Sequence, residues 1–107
     1  MTRDPGPARH ERPAIDEAAL SAARDAELML SAARERGISR WQQFLAEVPD
    51  QLRDARIAEL RGVARRARAA YGPKDSIRES LPPEVTEPFL DHLDRLLKAL
   101  AREDLER

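Results

Sequence analysis

The chain has 107 residues, with 19 Lys or Arg set against 20 Asp or Glu and a formal net charge of −1. That length allows one domain, and the lack of Cys excludes disulfides, thiolate metal sites and a cysteine nucleophile. No stretch approaches the ~18 consecutive apolar residues of a membrane span, and the opening MTRDPGPARHERP lacks the apolar core of a secretory signal, so a cytoplasmic setting is the expectation.

Residues 1–13, with Pro5, Gly6, Pro7 and Pro13 among charges, are expected to form a flexible arm ahead of a single helical domain at 14–107. Beyond the arm, Ala (18 residues) and Leu (13) dominate with Arg and Glu, all good helix formers, while β-branched residues are scarce. The fold class predicted is all-α: a small bundle of three substantial helices plus a short aromatic helix.

The first long helix is expected over 14–36. Asp16 and Glu17 complement the dipole of its first turn, and Gly37 suits the left-handed position that follows a helix end. Ile15, Ala19, Ala22, Ala26, Met29 and Ala33 recur at alternating spacings of four and three, a seam made mostly of alanine. Leu20 and Leu28 fall off this seam among Glu17, Arg24 and Glu35, and are expected to be exposed.

Ser39 with Gln42 has the spacing of a capping box. Trp41, Phe44, Leu45 and Val48 then give a short apolar helix, with a break expected at Val48 because Pro49 disfavours helix in the residue before it. This segment is expected to supply much of the core, since a buried aromatic contributes several times what an alanine does. A second long helix is expected over 50–71, with Ile57, Leu60, Val63, Ala64, Ala67 and Tyr71 on one face and Gly72-Pro73 ending it. Asp75 or Ser76 can cap a short turn. The last helix is expected from Pro83 or Thr86 onward, with a broad stripe of Val85, Phe89, Leu90, Leu93, Leu96, Leu97, Leu100 and Ala101.

The near-zero net charge conceals a separation. Residues 50–71 hold six Arg and three acids, and residues 72–107 hold six basic and nine acidic residues. Arg61, Arg65, Arg66 and Arg68, with Lys74 beyond, form a basic flank that can bind phosphates or pair with acids on the last helix. Glu87, Asp91 and Asp94 are expected to face solvent, with Asp91–Arg95 and Asp94–Lys98 as ordinary i,i+4 pairs. His92 has no second metal ligand at helical spacing and is expected to be a boundary residue. No nucleotide-binding glycine motif, G-x-S-x-G or Glu-x-x-His is present.

These features predict a non-enzymatic interaction protein, an adaptor, regulator or accessory subunit, without catalytic residues, metal or cofactor. Leu20 and Leu28 are its candidate contacts with a protein partner or second copy. The alternative is a nucleic-acid-binding regulator working through Arg61, Arg65, Arg66 and Arg68. The preference for Arg (17) over Lys (2) suggests GC-rich bacterial codon usage.

Overall fold

The computed structural model describes residues 6–105. Within them five α-helices follow one another: α1 (Pro13–Glu35), α2 (Ser39–Leu45), α3 (Val48–Asp54), α4 (Ile57–Arg68) and α5 (Pro83–Leu105). Short 3-10 turns lie at Arg9–Glu11, Ala69–Tyr71 and Ile77–Glu79, and no strand occurs among the described residues. The fold is the all-α bundle expected.

Helices α1 and α5 each span 23 residues and run antiparallel. Their register is fixed at three points. Arg12 Nε donates to Glu103 Oε2 at 2.7 Å, His92 Nδ1 lies 2.5 Å from Asp25 Oδ2, and Tyr71 sits between Met29 of α1 and Thr86 of α5. The alanine seam is buried throughout. Ala19, Ala22, Ala26, Met29 and Ala33 have no exposed surface, and Phe89, Leu93, Leu96 and Leu100 of α5 join them in the core. Small side chains on one helix face large ones on the other, which lets the two axes approach closely.

The seam is wider than predicted, because α1 packs against α5 on one side and against α2 and α3 on the other. Ala23 and Leu30, outside the predicted stripe, are therefore buried as well. Helix α1 ends in a Schellman motif: Ile38 N–H donates to the Ala33 carbonyl and Gly37 N–H to the Arg34 carbonyl, with Gly37 at φ 64°.

That motif also explains why the predicted Ser39–Gln42 capping box does not form. Ile38, held by the motif, takes the N-cap position, and its carbonyl accepts from Gln42 N–H at 3.1 Å. Ser39 becomes the first helical residue. Trp41 and Leu45 enter the core as expected, whereas Phe44 stays 37% exposed, edge-on to Trp41 with ring centroids 5.6 Å apart.

The break expected at Val48 falls one residue earlier, at Ala46 and Glu47 between α2 and α3, and the expected single helix over 50–71 is corrected. Val48 opens α3, with Pro49 in the first turn, where its missing N–H has no helical partner to lose. The chain breaks a second time at Ala55 and Arg56, both extended, at ψ 142° and 158°, which divides the expected helix into α3 and α4. Neither Gly nor Pro marks this place. It is held from a distance: Arg9 Nη1 donates to the carbonyls of Leu52, Arg53 and Ala55 at 2.7, 2.7 and 3.1 Å. These are carbonyls that the end of a helix leaves without partners.

Arg9 belongs to the segment expected to be a flexible arm. Residues 1–5 of that segment lie outside the described residues, whereas Arg9 also pairs with Asp16 at 2.8 Å and Arg12 pairs with Glu103. Past α4, Ser76 caps the Ile77–Glu79 turn by accepting from Arg78 N–H, as the sequence allowed. Ile77 and Leu81 then close the core beside Tyr71.

Candidate interaction surfaces

The arginine flank of α4 is divided by its own fold. Arg61 pairs with Asp104 of α5 and donates to the Leu100 carbonyl at 3.3 Å, and Arg68 Nε donates to Asp94 Oδ1 at 2.8 Å. Hydrogen bonding to Asp94, then its charge, holds the Arg68 guanidinium above its ordinary pKa. Arg65 and Arg66 are exposed and make no ion pair among the described residues. The basic and acidic halves of the chain therefore meet across α4 and α5, at positions that present two of the four predicted arginines to acids.

Glu87, Asp91 and Asp94 of α5 each have a partner. Asp91 pairs with Arg95 at 3.1 Å, as predicted. Asp94 pairs with Arg68 and not with Lys98, because α4 brings a guanidinium closer than its own helix does. Glu87 takes both arms of Arg78, at 3.0 and 2.6 Å, and a hydrogen bond from the Thr86 hydroxyl at 2.8 Å. Arg78 foremost, then Thr86, holds the Glu87 carboxyl below the usual carboxylate range. No group of three metal-ligating side chains occurs among the described residues.

His92 lies at the boundary of the core and is tied to Asp25 on α1, a residue that no spacing in the chain singles out. Only the antiparallel register of α1 and α5 brings the two together. Beside them a groove of about 390 Å³ runs between the first half of α1 and the second half of α5. His92, Arg95, Lys98 and Arg102 line its α5 wall, with Ala14, Ala18 and Ser21 opposite.

Leu28 is 60% exposed and Leu20 36%, so both lie on the outer face of α1 as expected. They are eight residues apart, ~12 Å along the axis, with exposed Arg24 between them. They form two separate points rather than one patch.

A larger surface was not legible in the sequence. A groove of about 650 Å³ crosses α3 and α4, and a second of about 300 Å³ adjoins it toward α2, the two sharing Gln51, Val63 and Arg66. Ala55, Ala58 and Gly62 leave the floor low, and Phe44 and Val48 extend it toward α2. Glu47, Asp50, Asp54 and Glu59 line its edges. The groove exists because the chain breaks at Ala55 and turns α4 away from α3. Comparison of the chain with protein-family models, with curated proteins and with solved structures gives no match.

Proposed function

We propose that the chain is a small non-enzymatic interaction protein that receives an amphipathic helix of a partner in the groove over α2, α3 and α4. One observation carries this: an apolar floor flanked by acids and reaching a partly exposed aromatic, Phe44. Helix-in-groove recognition needs an apolar strip for the partner's i, i+3, i+4 and i+7 anchors, and aromatic residues, Phe among them, are enriched in interfaces relative to the rest of the surface. Asp50 and Glu59 pair with Arg53 and Arg56, which leaves Glu47 and Asp54 to select a helix with basic flanks. No cofactor enters this reading. It sets the protein in a bacterial cytoplasm, on the Arg-rich, Cys-free composition; no helix among the described residues is long and apolar enough to cross a membrane.

The test is an NMR titration of labelled protein with an amphipathic helix of leucine and lysine. Shift changes confined to residues 43–67 are expected, and Phe44→Glu lowers affinity by about tenfold or more, ~1.4 kcal/mol, with an unchanged circular dichroism spectrum. Absence of binding overturns the proposal. So does binding that survives Phe44→Glu but is lost in the Leu20→Asp, Leu28→Asp double variant, which would move the contact to the outer face of α1.

A further inference from the structure

The sequence points to α4 as the phosphate-binding helix, but the fold commits Arg61 and Arg68 of that helix to Asp104 and Asp94. On α5 the cations without acids share a groove. Arg95, Lys98 and Arg102 share one wall of the groove against α1, together with His92. Lys98 and Arg102 make no ion pair among the described residues, and the single pair of Arg95, with Asp91, is exposed on both sides. Glu17 is the acid that lines the groove against them.

His92 is oriented from behind. A carboxylate only accepts hydrogen bonds, so in the contact with Asp25 the His92 Nδ1 is the donor, which fixes the ring on the groove wall. From Arg95 to Arg102 the cationic wall extends ~10 Å along the helix, too long for one phosphate group. Alanine methyls of Ala14, Ala18 and Ala99 make its apolar part, which offers no pocket for a large side chain or stacking base. Charge, not burial, has to supply the affinity there.

We propose that the groove between α1 and α5 binds a linear chain of phosphate groups, contacted by Arg95, Lys98 and Arg102 with His92 positioned by Asp25. An inorganic polyphosphate and the backbone of a single-stranded nucleic acid share this chemistry. The site is separate from the helix-binding groove and does not depend on it.

Fluorescence anisotropy at low salt tests it with two probes, labelled inorganic polyphosphate and a labelled single-stranded oligonucleotide. Binding of either supports the site, and the tighter one names its natural class. With three permanent cations engaged, log affinity for the oligonucleotide falls with log salt at a slope of about −2, so a tenfold rise in salt weakens binding about a hundredfold. The Lys98→Glu, Arg102→Glu double variant loses at least about tenfold, ~1.4 kcal/mol, whereas the Arg65→Glu, Arg66→Glu variant retains binding. Asp25→Asn weakens binding less than the double variant does. All these side chains are at the surface or half-buried, and circular dichroism checks the fold. The proposal is overturned if neither probe binds, if the α4 variant and not the α5 variant abolishes binding, or if poly-glutamate competes as well as the phosphate chains do.

Discussion

Arg9 Nη1 lies 2.7 Å from the carbonyl oxygen of Leu52, across 43 residues of chain. The same nitrogen reaches the carbonyls of Arg53 and Ala55, so one guanidinium closes the C-terminal end of α3 where a glycine would ordinarily stand. Its side chain is only 13% exposed, and its Nη2 is buried without a hydrogen-bond partner among the described residues, a cost that offsets part of the gain. Arg9→Ala removes a charged donor from partly buried carbonyls. The expected loss is ~2–3 kcal/mol, read as a fall in Tm of at least roughly 8 °C. An unchanged Tm would show that the contact contributes nothing to the break between α3 and α4.

The alanine seam makes a second prediction. Ala26 has no exposed surface and lies in the core of α1. Ala26→Leu forces extra methylenes into a filled interface and is expected to cost ~1–3 kcal/mol or more. Leu28→Ala, on the exposed side of the same helix, is expected to stay within ~0.5 kcal/mol. Chemical denaturation of the two variants measures the contrast.

Gly62 offers a stabilising change. A Cβ there would meet only the tip of the Arg66 side chain, at 3.4 Å, and α4 is helical on both sides. Gly62→Ala is expected to gain ~0.5–1 kcal/mol from the reduced freedom of the unfolded chain. A loss of stability would show that the close approach over Arg66 is not relieved.

Tyr71 gives a pH dependence. Its hydroxyl donates to the Thr86 carbonyl at 2.5 Å, inside the contact between α1 and α5. Burial first, then the charge of Glu87, pushes its pKa above the ordinary tyrosine value of about 10. As pH rises past about 10 the unfolded chain loses this proton before the folded one does. The folded state then binds more protons, so stability falls as pH rises. Below about pH 10 the contribution is complete. Tyr71→Phe is expected to lose ~1 kcal/mol at neutral pH and to flatten the alkaline decline. Urea midpoints measured at neutral and alkaline pH for both proteins decide it.

The ion pair of Arg68 with Asp94 is exposed by about half on each side. Arg68→Ala is expected to change stability by less than ~0.5 kcal/mol, and salt titration of the wild type to show a similarly small effect. A large loss would mean that this pair, and not apolar packing, holds α4 to α5.

Periodicity and end signals by themselves determined the helices α1 and α5, the apolar face of α4 though not its start, the alanine seam, the glycine stop at Gly37 and the exposure of Leu20 and Leu28. These are local properties: each depends on residues within a few turns, and the spacing of apolar side chains states which face is buried. The break at Ala55 was not legible, because what satisfies its carbonyls is Arg9, far away in sequence. Charge runs were legible as runs, but not which arginine meets which acid. Only the packing of α4 on α5 decided that Arg61 and Arg68 are partnered and Arg65 and Arg66 are not. The antiparallel register of α1 and α5 likewise decided that His92 meets Asp25, and the turn at Ala55 opened the groove beside Phe44. The physical reason is the same each time. Burial patterns are written in neighbouring residues, whereas hydrogen bonds, ion pairs and concave surfaces are made between elements and follow from how those elements are set against one another.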